Sequence, residues 1–400
     1  MSLEAIFASR ALTPRDEIAD PVVLVEGEKI VAIGRQREIS VPASANRIHK
    51  RGLTIVPGFV DVHIHGAAGH DVMEGSDEAL AAITSKVVAR GTTALVATTV
   101  SASEEVTCTA VEAVARWMDH QKQSETALGS AEILGVHLEG PFINPARRGA
   151  HSDQWIAAPS LAIFQRYLKA AKGRMRILTL APELPGAAGL IAEARKAGVV
   201  VSLGHTDASY AEAMAAIAGG ASHATHVFNA MRPFTHRDTG VVGAVLTSPN
   251  VTAELIADGV HVDDPAIRVL LAMKGPPGVI LVSDGIAATG MPDGKYKLGT
   301  SEVRVTEGIA RTDEGKLAGS TLTLDRALHH LLGLGVPLRE VLPMLTSNPA
   351  RLLGLDHRKG SLQAGADADL LLLDEHFELA GVMARGTLVN QSRAKDSAGF

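Results

Sequence analysis

Eight short apolar runs, separated by amphipathic helical stretches, constrain this chain more than any other feature. The runs cover residues 53–65 (LTIVPGFVDVHIH), 92–99 (TTALVATT), 133–139 (ILGVHLE) and 175–183 (MRILTLAPE). They continue at 199–205 (VVVSLGH), 223–230 (HATHVFNA), 251–258 (VTAELIAD) and 278–284 (GVILVSD). Between most of them lie stretches such as EALAAITSKVVARG, EEVTCTAVEAVARW, GLIAEARKAG and SYAEAMAAIAGG. These place apolar residues three and four apart and often end in Gly, as amphipathic helices do. Apolar strands alternating with helices predict a parallel sheet buried on both faces.

Most runs end in a chemically capable residue: His63 and His65, Thr98 and Thr99, Glu139, Glu183, His205, His226, Asp258 and Asp284. A doubly wound sheet collects polar groups mainly at one switch point. A closed barrel gathers all strand ends into one ring, where barrel active sites lie. The expected fold is therefore α/β, a (β/α)8 TIM-like barrel over residues 53–352. The segments outside it read as strands and turns. Residues 22–34 (VVLVEGEKIVAIG) carry a hairpin signal around Glu-Gly-Glu-Lys, and 365–374 and 379–389 look similar. Neither end is long enough for its own core, so 1–52 and 353–400 are expected to combine into one small β-sandwich domain. The stretch from Tyr296 (YKLGTSEVRVTEGIARTDEGKLAG) reads as a β insertion before the last helices.

Composition bounds the function. The 400 residues are 46% apolar and 20% charged, enough for a sizeable core, and aromatics are only 3%, which favours close helix–sheet packing. A net charge of −6 without a basic run gives no footing for nucleic acid. No apolar run approaches the ~18 residues of a membrane span. The single Cys108 rules out an internal disulfide framework, and MSLEAIFASRALTPRDE does not read as a signal peptide, so a cytoplasmic setting is expected.

His63 and His65 are two apart in a strand and face one side, so both imidazoles can reach one metal. Glu139 sits in HLEGPF, where Gly-Pro ends the strand. His205 lies in LGHT and His226 in ATHVFNAM. Singly, each also reads as a hydrogen-bonded core histidine or a solvated glutamate. Together they are harder to set aside, because histidine at an apolar strand end needs a partner. Histidine with carboxylate suits zinc, and also ferrous iron or manganese. A divalent metal lowers the pKa of water to roughly 7. A nearby carboxylate can take that water's proton and return one to a leaving nitrogen, a role that Asp284 fits. His151 and His261, in loops past strand ends, can reach substrate oxygens or lie on the surface.

These motifs resemble the amidohydrolase superfamily, and more closely the N-acetylglucosamine-6-phosphate deacetylases. The resemblance rests on PGFVDVHIHG (57–66), GVHLEGPF (135–142), RGAH (148–151), GHTDAS (204–209), THVFNAM (225–231), HRDTG (236–240), IADGVH (256–261), LVSDG (281–285) and LAGSTLTLD (317–325). NPARLLGL and GADADL are only superfamily marks. The resemblance implies metal ligands Glu139, His205 and His226, with Asp284 as catalytic acid/base. A second metal at His63 and His65 is expected because both are kept. It also implies substrate contacts from Ala150, His151, Asn229, Ala230, Arg237, His261, Leu317, Ala318 and Gly319. Arg237 is expected to reach a sugar phosphate in the neighbouring subunit of a homodimer. The implied reaction removes acetate from N-acetylglucosamine 6-phosphate. Two alternatives stay open: a deacetylase for the galacto epimer or another N-acyl amino sugar, and an inactive scaffold on the same fold. A lysine bridging two metals, as in other amidohydrolases, is not found, and Glu139 stands in a comparable place.

Overall fold

The computed structural model describes residues 3–14, 16–123 and 128–389. Eight strands form one parallel sheet in sequence order: Phe59–Ile64, Thr92–Thr98, Glu132–Glu139, Met175–Leu180, Val200–Leu203, His223–Ala224, Thr252–Leu255 and Val279–Leu281. A parallel bridge between Ile64 and Gly285 joins the last strand to the first and closes the barrel. Asp284 N–H donates to His63 O at 2.9 Å and His65 N–H to Gly285 O at 2.8 Å across that seam.

The helices follow from local chemistry. In Asp77–Val88, Ser76 caps the first turn by accepting from Ala79 N–H, and Asp77 and Glu78 complement the helix dipole. Its Leu80, Ile83 and Val87 recur at three- and four-residue spacing and are buried against the barrel. On the strands, alternate residues face opposite ways. Val60, Val62 and Ile64 join the large apolar core, whereas Asp61, His63 and His65 do not. Among the described residues no helix is long and apolar enough to cross a membrane.

The two ends of the chain meet in a second sheet. Asn46–Pro57 pairs parallel with Leu3–Leu12 and antiparallel with Leu370–Leu373. The hairpin expected at 22–34 is present as Pro21–Glu26 and Lys29–Arg35, with Glu26 opposite Lys29. Apolar clusters line both faces of this sheet, Ile6, Val23, Ile55 and Leu370 in one, Phe7, Val22 and Leu24 in the other. The run read as one strand from Leu53 is divided. Its first part belongs to the terminal sheet as far as Pro57, and only Phe59–Ile64 enters the barrel. Gly58 makes the division, because a Cβ there would stand 2.1 Å from Thr93 Oγ1, and its N–H bonds Asp369 O at 2.9 Å. The stretch from Tyr296 forms the three-stranded antiparallel insertion Gly294–Leu298, Ser301–Thr306 and Ile309–Thr312.

Lys359 locks the terminal sheet to the barrel. Its side chain is fully buried, with Nζ 2.7 Å from Glu132, 2.8 Å from Asp367 and 2.6 Å from Asp369. Arg358 adds contacts to Glu132 and Asp367, and Lys29 one to Asp367. Removing one partner of a buried ion pair leaves uncompensated charge and costs about 3–5 kcal/mol. Lys359→Met is expected to lower the free energy of unfolding in urea by that amount. A loss below about 1 kcal/mol would mean that the three carboxylates find other compensation.

Candidate active site

The polar residues of the strand ends converge over one mouth of the barrel. Glu139, at the end of the third strand, is at their centre. Its Oε1 lies 3.1 Å from His205 Nε2 and 3.2 Å from His226 Nε2. Its Oε2 lies 3.3 Å from both His65 Nε2 and His151 Nε2. Asp284 Oδ1 faces His65 Nε2 at 3.2 Å and His63 Nε2 at 3.5 Å. All of these side chains are buried. Burial would raise Glu139, but His63 and His205 foremost hold it well below the usual carboxylate range. Burial would lower His65, yet Asp284 and Glu139 outweigh it and push the imidazole up to about 9.

The local backbone is unusual where the ring is built. His205, His226 and Asp284 lie just past short strands with φ of 48°, 27° and 49°. Residues other than Gly rarely adopt this left-handed region, and where they do it concentrates at functional sites. The turn swings each side chain inward over the mouth. Gly319 packs beneath: a Cβ on it would meet Asp284 O at 2.8 Å and Ile286 Cγ2 at 2.5 Å, and Ser320 N–H donates to Asp284 O at 2.7 Å. The Leu317–Ala318–Gly319 segment therefore lies against Asp284.

The donor set fits a cation. His205 Nδ1 is 2.9 Å from Arg147 O, and a carbonyl only accepts, so the neutral ring carries its proton on Nδ1 and its lone pair on Nε2. That lone pair faces His226 Nε2 at 3.1 Å. In the same way His63 Nδ1 donates to Glu254 at 2.9 Å, and its Nε2 faces His65 Nε2 at 3.2 Å. His226 and His65 have no hydrogen-bond partner on Nδ1 among the described residues, so each pair of facing nitrogens can share either a proton or a metal ion. Ligands ~2.1 Å from a common ion in tetrahedral array stand ~3.4 Å apart, close to these separations. Two of the groups of His and carboxylate atoms able to hold a metal are His63, His65, Asp284 and Glu139, His151, His205.

His151 is set apart by its tautomer. Ser101 N–H donates to its Nδ1 at 3.1 Å, so Nε2 carries the proton and turns a donor, not a lone pair, toward the mouth. Burial pushes the imidazole down to about 4 and keeps it neutral. His226 rather than His151 is thus the better third partner for Glu139 and His205.

The remaining expected residues surround this cluster. Ala150 is buried beside His151, and Ser301 Oγ donates to its carbonyl at 3.3 Å. Asn229 and Ala230 follow His226 in a tight loop, and Asn229 Nδ2 is buried without a hydrogen-bond partner among the described residues. Ala230 has φ of 50° and accepts from Thr206 N–H. His261 Nδ1 is held by Asp258 at 2.7 Å, which leaves its Nε2 free of that contact. Arg237 is not brought into the cluster: it is exposed, and among the described residues no ion pair or hydrogen bond engages it. Two strand-end acids stay outside the ring. Glu183 instead ties together Asn144, Thr206 and Asp207, and Asp258 serves His261.

Sequence reasoning missed a layer directly below. His137, Thr179, Ser202, His223, Thr225 and Glu254 are buried and joined by hydrogen bonds of 2.5–2.9 Å between strands. His137 packs edge-on to His63, ring centres 4.7 Å apart. The signal was the polar residue at every second position of VDVHIH, GVHLE and TAEL, hidden because the runs were read as continuously apolar.

A closed parallel barrel with imidazoles and carboxylates converging at its strand ends defines the amidohydrolase class of hydrolases. The model of the amidohydrolase family matches residues 54–389. The chain is 36% identical to the N-acetylglucosamine-6-phosphate deacetylase of Lysinibacillus sphaericus over 94% of each. It is 34% identical to the N-acetylgalactosamine-6-phosphate deacetylase of Escherichia coli O157:H7, over 84% of this chain and 88% of that one. Among solved structures, the N-acetyl-D-glucosamine-6-phosphate deacetylase of Mycobacterium smegmatis, in complex with N-acetyl-D-glucosamine-6-phosphate, superposes with a TM-score of 0.89 at 36% identity, covering 97% of this chain and all of that one. The chain belongs to the amidohydrolase family, in its branch of N-acetylglucosamine-6-phosphate deacetylases.

Proposed function

We propose that the protein hydrolyses the acetamide of N-acetylglucosamine 6-phosphate to glucosamine 6-phosphate and acetate. The observation that carries this reading is the cluster of Glu139, His205 and His226 beside a carboxylate, Asp284, and a fixed N–H donor, His151. Similarity to deacetylases over nearly the whole chain supports the substrate. Glu139, His205 and His226 would hold one divalent metal, zinc before iron or manganese, and His63 and His65 with Asp284 a second. When bound, such a metal lowers the pKa of water and polarises the carbonyl under attack.

The chain's own groups do the rest. Asp284 takes the proton of the attacking water as oxygen bonds to the acetyl carbon. His151 Nε2–H donates to the carbonyl oxygen as negative charge gathers there. Asp284 then passes its proton to the amine nitrogen as the C–N bond breaks, and acetate and the free amine leave. Asn229, with its unpartnered amide, His261, Ala150, Ala230 and the 317–319 segment line the sugar. Arg237 binds the 6-phosphate, reaching from the second protomer of a homodimer in the cytoplasm. Its exposure, and the absence of an ion pair or hydrogen bond to it among the described residues, agree with that task.

The reading is tested by acetate release from the gluco and galacto 6-phosphates, with parent and Arg237→Ala. The parent is expected to favour the gluco epimer, and preference for the galacto compound would transfer the assignment. No release from either would favour the inactive scaffold. A guanidinium fits phosphate bidentately, and hydrogen bonds to charged groups are worth ~1.5–3 kcal/mol. At ~1.4 kcal/mol per tenfold, Arg237→Ala should lower kcat/KM for the phosphorylated sugar roughly 10- to 150-fold. Activity on unphosphorylated N-acetylglucosamine should hardly change. Equal losses on both would remove Arg237 from phosphate binding.

A further inference from the structure

Glu254 is a fully buried carboxylate on the seventh strand, below the mouth of the barrel. Its Oε2 accepts from His63 Nδ1–H at 2.9 Å and from the backbone N–H of His226 at 3.0 Å. Its Oε1 meets His223 Nε2 at 2.9 Å, and His223 Nδ1 in turn meets Thr252 Oγ1 at 2.7 Å. One oxygen thus touches a residue from each of the two candidate ion sites. We propose that Glu254 is a positioning residue for both: it fixes the tautomer and ring direction of His63 and pins the backbone of His226.

The alternatives to this anchor are few. An ionised carboxylate only accepts, so His63 must keep its proton on Nδ1 and turn its Nε2 lone pair to His65 and Asp284. The companion His65 has a buried Nδ1 with no hydrogen-bond partner among the described residues, unlike the Nδ1 of His63. His226 Nδ1 likewise has no partner among the described residues, and its backbone lies at φ 27°. Its side chain is held only at Nε2, by Glu139 and His205, so the main-chain bond to Glu254 is a separate anchor for this strained backbone. On the far side of the His63 ring, His137 is itself fixed: its Nδ1 lies 3.2 Å from Val62 O and its Nε2 2.7 Å from Thr179. His63 therefore has Glu254 as its tautomer-setting partner and His137 as its wall.

The effect should be unequal. His63 would lose the bond to its own ring, whereas His226 would lose only a main-chain bond. This inference rests on the two-ion reading above. The test titrates metal-free protein with Zn2+ against a chromophoric chelator, for the parent, Glu254→Gln, Glu254→Asp, and the reference double variant His63→Ala with His65→Ala. The parent is expected to take up two ions and the double variant one. Losing an outer partner of a ligating histidine typically costs ~10–100-fold in metal affinity, so Glu254→Gln should weaken the second ion by that factor and the first by less than about threefold. Glu254→Asp, which keeps the charge but draws it back by one methylene, should also weaken the second ion selectively. Thermal unfolding of the metal-free variants reports on the fold independently. Unchanged constants at both sites, or a loss confined to the first ion, would overturn the positioning role and leave the two-ion reading standing. A parent that binds one ion, retained by the double variant, would overturn both.

Discussion

Asp284→Asn is expected to lower kcat by about 10²- to 10⁴-fold, the range that general acid–base assistance contributes, while KM and the ion held by Glu139, His205 and His226 change little. The substitution removes a proton acceptor and also a proposed ligand of the second ion, so the metal content of the variant separates the two losses. Asn has the shape of Asp, and both tolerate the left-handed backbone that Asp284 occupies at φ 49°. The main-chain bonds from Asp284 N–H to His63 O and from Ser320 N–H to Asp284 O survive the exchange. What disappears is an anionic oxygen 3.2 Å from His65 Nε2 that can accept a proton and would help hold the second ion. Steady-state kinetics of acetate release with metal content measured on the same sample would decide it. Turnover within about a factor of three of the parent would assign the proton shuttle to another group.

The barrel and the ring were legible in the sequence for the same reason. A parallel strand in a closed barrel is covered on its outer face, so its outward residues are apolar, and its end delivers one side chain to a shared mouth. His63, His65, Glu139, His205, His226 and Asp284 could be found as the terminal residues of apolar runs. What could not be read was contact between strands distant in the chain. The proton of His205 is placed by the carbonyl of Arg147, and that of His151 by Ser101, 50 residues away. Such bonds decide which histidine offers a lone pair and which a donor, and no local spacing encodes them. Glu254 was missed because TAEL is too short for its two-residue alternation to stand out within an apolar run. The sixth strand is only His223–Ala224, so His226 reaches the site through a turn rather than as a strand residue. The boundary at Leu53 failed for a different reason. Two strands of different sheets follow each other with only Gly58 between them, and apolarity continues across the join.

Glu139→Gln is expected to have the largest effect, loss of measurable acetate release together with loss of the bound metal. Glu139 stands among His63, His65, His151, His205 and His226, and its two oxygens divide these imidazoles between them. The amide keeps one weak acceptor and replaces the other oxygen with a donor, so it would hold a cation more weakly and could not offset its charge. Even partners outside the ligand shell are worth ~10–100-fold in metal affinity, so a ligand itself should exceed that. His205→Ala should behave likewise, since it removes a lone pair fixed by Arg147 O. The double variant His63→Ala with His65→Ala should keep one ion, because Glu139, His205 and His226 are untouched. Elemental analysis of dialysed protein, paired with the acetate assay, separates the cases. If Glu139→Gln retained its full metal complement and turned over at the parent rate, the cluster around Glu139 would be a buried polar network, and the catalytic metal would have to be sought elsewhere in the molecule.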